Sequence, residues 1–401
     1  MEDRVYLTAR EAAAELNVSR ATLYAYVSRG MVRSEPSENG RSRLYRAEDV
    51  RALRARKTPQ QGQENIARQS LSFGEPVLDS AVTLIADGRV YYRGRDAVEL
   101  ARSARFEQVA NLLWQRDDED PFTQPMLEIE PPEGLAPLPR AISMLSIAGD
   151  RDLKGLNLSD RGIAETGARI VRLLAAGFTG QPVSDSPLHE QLAAAWQLDG
   201  AGADIIRTAL ILTADHELNT SAFTVRCVAS TRATPYAAIG AGLCALQGPR
   251  HGGLTAQVIA FLTEIAAAAS PKEAVMARLK RGEQLPGFGH PLYPEADPRA
   301  TAILSTIEHN CGWIPALDLA HQILEAAKEA IGLAPNIDFA LATLVRALSF
   351  PETSPFAIFA IGRSAGWLAH AQEQYRLPEL IRPRARYVGD EPQTGVSRPV
   401  P

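Results

Sequence analysis

Residues 287–300 read GFGHPLYPEADPRA, and the reading of this stretch decides what the rest of the chain is for. Gly287 and Gly289 allow backbone angles that other residues resist, while Pro291, Pro294 and Pro298 keep regular helix from running through. The segment is therefore a shaped loop. It puts His290 on backbone free to approach a ligand, and Arg299 follows nine positions later with a guanidinium suited to a carboxylate. Taken alone, the stretch reads equally well as a surface turn with an incidental histidine and arginine. The segments around it weigh between the two.

Two more of the seven histidines have unusual settings. His251 sits in GPRHGG, where Pro249, Gly252 and Gly253 let the backbone come close to a ligand, and His216 sits in ADHELN at an expected helix end beside Asp215 and Glu217. Asp338, in PNIDFALATLVRAL, precedes an apolar helix. It is either an N-cap, the usual role for such a residue, or a carboxylate set against apolar walls with a raised pKa.

The body around these residues reads as mostly α-helical. Alanine, leucine, glutamate and arginine dominate, and apolar residues recur at helical spacing over 106–114, 161–176, 203–214, 236–246 and 254–268. Ahead of them, SAVTLIADGRVYYRG (80–94) predicts one small hairpin turning at Asp87-Gly88. No GxGxxG follows a strand and no GxxxxGK[ST] occurs, which disfavours a Rossmann or P-loop enzyme. Cys227, Cys244 and Cys311 are far apart and without CxxC spacing, so neither a disulfide framework nor a zinc site is indicated. No apolar run is long enough to cross a bilayer and no leader pattern is present, so a cytoplasmic location is the default expectation.

The 401 residues have a formal net charge of -5, unevenly spread. Residues 1–60 hold 12 Lys and Arg against 8 Asp and Glu, which leaves -9 for the remainder and permits an anionic partner at the front of the chain. Thr8 to Glu11, TARE, is a capping box opening a first helix that runs to Leu16. Asn17 and Val18 turn the chain, and Ser19 caps a second helix ending near Gly30. Asn39-Gly40 is a hairpin dipeptide followed by Arg41, Arg43, Tyr45 and Arg46 on the outgoing strand, a basic wing. A third helix spans 47–57. The pattern is a helix-turn-helix, and over residues 5–57 it resembles the MerR family of winged helix-turn-helix domains. By the docking geometry of that motif, Ser19, Arg20, Thr22 and Tyr24 are candidates for groove contacts with DNA, and Arg41 and Arg43 for phosphate. The competing reading is a small docking domain whose arginines are merely solvated.

In order, ADHELN, GPRHGG, GFGHPLYPEADPRA, PNIDF, IFAIGRSAGWLAH and IRPRARY resemble the citrate synthase family, over about residues 78–390. The resemblance implies an all-α fold of a large and a small helical domain, the small one at roughly 250–350, after a winged helix-turn-helix at 1–58 and a linker at 59–77. Residues 391–401 read as a mobile tail. It implies that Asp338 is the base, that His251 and His290 are the electrophilic histidines, and that His216, Arg299, Arg363 and Arg382 bind oxaloacetate. Arg382 would come from the partner of a homodimer. No cofactor or metal is implied, and a CoA thioester, acetyl-CoA or propionyl-CoA, is itself a substrate. Pro291 and Pro294 stand where the family usually has basic residues. Related lyases that cleave citryl-CoA tolerate proline just after that histidine, so direction stays open. The alternative function is a transcription regulator whose synthase-like body senses oxaloacetate, acyl-CoA or citrate.

Overall fold

The computed structural model describes residues 6–16, 18, 20–28, 31–36, 43–51, 78–116 and 119–390. They fall into two compact units, Met1–Asp79 and Ser80–Pro401.

In the first unit, helices Ala9–Glu15 and Arg20–Ser28 accompany a three-stranded antiparallel sheet. Strand Arg43–Arg46 is central, pairing with Tyr6–Thr8 on one side and Ser34–Pro36 on the other. The first helix starts where the capping box places it. Glu11 N–H donates to Thr8 Oγ1 at 3.3 Å, and Thr8 N–H donates to Glu11 Oε2 at 2.8 Å. Leu7, Ala12, Ala13, Leu16, Leu23, Val32, Tyr45 and Val50 form the core. A bidentate ion pair, Arg33 Nε and Nη2 to the Asp49 carboxylate at 2.9 and 2.7 Å, ties the second strand to the helical turn after the third, and the Arg33 hydrogen bond holds the Asp49 pKa down to about 2. Strand Tyr6–Thr8 has too few residues to carry an alternation pattern, which is why the sequence reading passes over it. The Asn39-Gly40 turn, Ser19, Arg41, the third helix beyond residue 51, the linker at 59–77 and the tail at 391–401 lie outside the described residues.

The second unit is mainly helical. Its hairpin pairs Thr83–Ala86 with Arg89–Tyr92 and turns at Asp87 (φ 51°) and Gly88 (φ 69°), as the dipeptide predicts. Apolar residues are divided between two clusters. One is built on helices Asp160–Thr179, Gly200–Leu212, Pro235–Leu246 and Ser354–Arg376. The other gathers Val258, Phe261, Leu262 and Ile265 of helix Leu254–Ala266 with Ala320, Ile323 and Ala326 of Pro315–Ile331. Helix Ile337–Leu348 serves both, giving Ala340, Leu341 and Leu344 to the first cluster and Phe339 and Ala342 to the second. A helix shared in this way runs along the seam between the cores, and Asp338 is on its first turn.

Helix Ser354–Arg376 is buried on nearly every face, and two tryptophans tie it to its surroundings. Trp114 Nε1–H donates to Ala365 O at 2.9 Å and Trp367 Nε1–H to Ser221 Oγ at 3.1 Å. Among the described residues no helix is long and apolar enough to cross a membrane.

Candidate active site

The 287–290 loop is fastened to the chain just before Asp338. Gly289 N–H donates to Ala334 O and Asn336 N–H to Gly287 O, both at 2.9 Å, and Asn336 Nδ2 donates to Gly289 O at 3.1 Å. Gly287 and Gly289 have φ of 85° and 75°, the left-handed region expected of them. A Cβ on Gly287 would press on Phe339 Cβ at 3.0 Å and Val258 at 3.1 Å. The glycines thus let the His290 loop lie against the start of the Asp338 helix.

His290 Nδ1 accepts the Leu292 N–H at 3.1 Å. Burial and then the Arg299 charge push the His290 pKa down to about 4, so the ring is neutral at neutral pH and its hydrogen sits on Nε2. His216 packs edge-on at 5.0 Å between ring centroids, and its Nε2 lies 2.9 Å from the Tyr293 hydroxyl. Burial, with Arg299 and Arg363 behind it, lowers the His216 pKa well below the ordinary value. His251 is lowered to about 4 by burial and then by Arg363. Its Nε2 is 2.8 Å from Ser221 Oγ, whose hydroxyl donates to Asn219 Oδ1 at 2.7 Å. Three neutral imidazoles therefore line one region, each available as a hydrogen-bond donor without carrying charge.

Of the two roles the sequence leaves open for Asp338, the N-cap is taken by another residue. Asn336 takes that role, its Oδ1 accepting from the N–H groups of Asp338 and Phe339 at 3.1 and 3.4 Å. The Asp338 side chain is thereby left for other work, and burial pushes its pKa up to about 6 against the Thr255 hydrogen bond and the Arg299 charge. A carboxylate so placed is ionised at neutral pH yet basic enough to take a proton.

The two buried arginines differ. Arg299 forms a bidentate pair with Asp297 at 2.9 and 2.7 Å, and Asp297 Oδ2 also accepts the Ile337 N–H at 3.0 Å. Burial alone would pull the Arg299 pKa down; the Asp297 carboxylate more than offsets it and the net shift is upward. Arg363 Nε donates to Thr213 O at 2.9 Å and its guanidinium lies 4.8 Å from the Phe359 ring centroid. Among the described residues no carboxylate comes within ion-pair distance of Arg363, although it is 1% exposed. Burial lowers its pKa to about 10, which leaves it charged. A desolvated cation with open donors is a site for an anion.

Of the seven residues the family resemblance assigns, His216, His251, His290, Arg299, Asp338 and Arg363 are linked by these bonds, ring contacts and charge effects. Arg382 is exposed on the segment after the last helix, apart from them in the single chain. The sequence reading missed Tyr293, Asp297, Ser221, Asn219 and Thr255. Two of these had a legible signal. Asp297-Pro298 is an N-cap followed by an N1 proline, and Asn219 is an N-cap two residues before Ser221. In the first unit, Tyr24 is 52% exposed on the second helix and Thr22 is half-buried, while Arg43 donates through Nε and Nη2 to Ser34 at 2.9 Å. The Arg20 side chain is outside the described set.

Residues 72–384 match the family profile described as "Citrate synthase, C-terminal domain". Residues 6–58 match "Helix-turn-helix domain", a description that does not single out the MerR type. The chain is 32% identical over 354 residues to citrate synthase 2 of Bacillus subtilis, covering 78% of this chain and 94% of the relative. It is 30% identical over 344 residues to the citrate synthase of Haloferax volcanii, covering 76% and 90%. Among solved structures it is similar to citrate synthase from Thermotoga maritima, with a TM-score of 0.64, 25% identity and coverage of 81% and 96%. It shares its fold with the Thermoplasma acidophilum citrate synthase solved in ternary complex with carboxymethyl coenzyme A and oxaloacetate, at a TM-score of 0.67, 23% identity and coverage of 82% and 98%.

Proposed function

The chain belongs to the citrate synthase family, and from that premise we propose that it joins the acyl group of acetyl-CoA or propionyl-CoA to oxaloacetate, giving citrate or 2-methylcitrate and free CoA. The observation that carries the reading is the meeting of an Asp338 carboxyl with a pKa of about 6, neutral His251 and His290, and the unpaired buried cation of Arg363. The reaction needs no cofactor, since the CoA thioester is itself a substrate.

Asp338 takes the proton from the carbon next to the thioester carbonyl. That C–H bond breaks, its electron pair passes to the thioester oxygen as an enolate, and this oxygen accepts a hydrogen bond from His251. Ser221 has one hydrogen, which Asn219 Oδ1 receives in the ligand-free chain, so His251 donates to the enolate oxygen once the hydroxyl turns its hydrogen to Nε2 and the ring hydrogen sits on Nδ1. The enolate carbon then bonds to the ketone carbon of oxaloacetate, and the ketone oxygen, now an alkoxide, is held by His290 Nε2–H until it takes up the proton that Asp338 removed. One such donor is worth roughly 3–4 kcal/mol of barrier. His216, Arg299 and Arg363 hold the carboxylates of oxaloacetate. Water then cleaves the citryl thioester and releases the thiol.

Arg382 is assigned to the site of the second copy in a homodimer. Its segment supports this, because Leu380, Tyr387 and Val388 are 53%, 65% and 82% exposed in the single chain. The second apolar cluster, drawn from 258–285 and 319–342 within the expected bounds of roughly 250–350, is taken as the small domain that closes over the substrates. Helix Ile337–Leu348, shared by both clusters, supports that division. Pro291 and Pro294 are exposed and uncharged where basic residues are usual, so citryl-CoA cleavage, the reverse chemistry, belongs to the same proposal.

The test is thiol release from acetyl-CoA and from propionyl-CoA, each with oxaloacetate, against an Asp338→Ala control. Turnover no higher than the control's would sink the enzyme reading, and the ratio of the two rates sets acyl preference. Because Asp338 acts as a base only when ionised, the rate is expected to fall as pH drops through about 6.

A second reading rests on the helix-turn-helix match at residues 6–58. Under it, the chain binds DNA and its synthase-like body senses oxaloacetate, acyl-CoA or citrate. A mobility shift with the DNA upstream of its own coding region is expected to weaken steeply with salt while keeping sequence preference. Sequence-indifferent binding lost at modest salt counts against it.

A further inference from the structure

Thr255 is the second residue of helix Leu254–Ala266, 2% exposed, and lies 83 positions before Asp338 in the sequence. Its hydroxyl oxygen is 2.8 Å from Asp338 Oδ1 and 2.9 Å from Gly252 O. One hydroxyl hydrogen thus has two acceptors in reach. Gly252 O has a second donor at 3.3 Å in the Thr255 N–H and does not depend on the side chain. An ionised carboxylate is the stronger acceptor, so the hydrogen goes to Asp338.

We propose that Thr255 is a positioning residue for the proton-abstracting carboxylate: its hydroxyl occupies Asp338 Oδ1 and leaves Oδ2 as the oxygen that takes the substrate proton. The inference rests on the reading of Asp338 as the base. Two elements fix the carboxylate from opposite ends. Asn336 Oδ1 holds the backbone N–H of Asp338 at 3.1 Å, and Thr255 holds the side chain. Without the hydroxyl, a carboxylate with few donors around it turns in its pocket and protonates more readily.

Other charges act on the same carboxyl. Arg299 and Arg363 favour its ionised form and Asp297 opposes it. Helix Pro315–Ile331, also packed on the Asp338 helix, has only apolar residues at its buried positions. Thr255 is the one neutral donor among these groups, and removing it changes no formal charge.

The experiment is the pH dependence of kcat/KM for thiol release by the full chain, in wild type, Thr255→Val, Thr255→Ser and Asp338→Asn. Thr255→Val, nearly isosteric, is expected to move the acidic limb up by about one pH unit, so that below both limbs the rate falls about tenfold. The KM for oxaloacetate should hardly change, and Thr255→Ser should restore the limb. If Thr255→Val does not fold, Thr255→Ala against Thr255→Ser makes the same comparison. An unmoved limb in the valine (or alanine) variant overturns the proposal, as does a serine variant displaced as far as valine, which would make packing rather than the hydroxyl responsible. Asp338→Asn separates the two levels of inference. If it keeps the wild-type acidic limb, the base assignment itself has failed; if it loses turnover while Thr255→Val keeps the limb, only the role of Thr255 has.

Discussion

Asp338→Asn is expected to slow thiol release from acyl-CoA and oxaloacetate by roughly 10²–10⁴-fold, the range of a positioned general base. The substitution is close to isosteric, and the backbone N–H bond to Asn336 does not involve the side chain. Thr255 can still donate to the amide oxygen. The fold should therefore survive, and the loss should fall on kcat with oxaloacetate binding retained. It should also erase the acidic limb near pH 6, because the group that titrates there is gone. A variant that retains turnover within a few-fold of wild type, at pH values above that limb, would remove Asp338 from the chemistry.

The ease of reading each part of this molecule follows from how local its cause is. Capping boxes and turn dipeptides act over two to four residues, so Thr8-Glu11 and Asp87-Gly88 are correct in the sequence and in the structure. The amphipathic helix at Phe106–Leu113 is equally legible, since burial of one face imposes the 3.6-residue period. Helix Ser354–Arg376 is not legible in that way. It is surrounded, so apolar and polar residues recur on all its faces and no period stands out.

The candidate site divides along the same line. Glycines at 287 and 289 are visible because their left-handed backbone is a local demand. From its own stretch Asp338 reads as a cap or as a carboxylate of raised pKa, because its environment is made by Thr255, Asp297, Arg299 and Arg363, from 25 to 83 positions away in the chain. Its raised pKa is a property of that assembly and has no signature in PNIDF. Tyr293 illustrates the remaining gap. It lies inside the most informative stretch of the sequence, yet only the fold brings its hydroxyl to His216 and its ring under Arg299, 5.4 Å from the guanidinium.

Arg363→Met is expected to separate stability from function. A buried guanidinium with no carboxylate partner among the described residues has lost its hydration without a compensating ion pair, so the empty site carries that cost. Methionine fills similar space with no charge. Its one structural debt is Thr213 O, which loses the Arg363 Nε–H at 2.9 Å, a penalty of about 1–3 kcal/mol. A buried ion carries a desolvation penalty of several kcal/mol, and its removal offsets the loss at Thr213 O, so the two effects leave the ligand-free variant near wild-type stability or above it. Oxaloacetate changes the comparison. At a concentration of 100 times its Kd, a ligand raises the stability of the wild type by about 2.7 kcal/mol, and the variant should gain less than about 1 kcal/mol at the same concentration. Losing one partner of a buried charge pair costs about 2–5 kcal/mol, which is a fall of roughly 30-fold to several thousand-fold in kcat/KM. Thermal unfolding with and without oxaloacetate, read beside thiol release, makes the measurement. A variant that unfolds far below wild type in the absence of ligand would assign Arg363 to the architecture of its helix, and one that gains as much stability from oxaloacetate as wild type does would take Arg363 out of the carboxylate site.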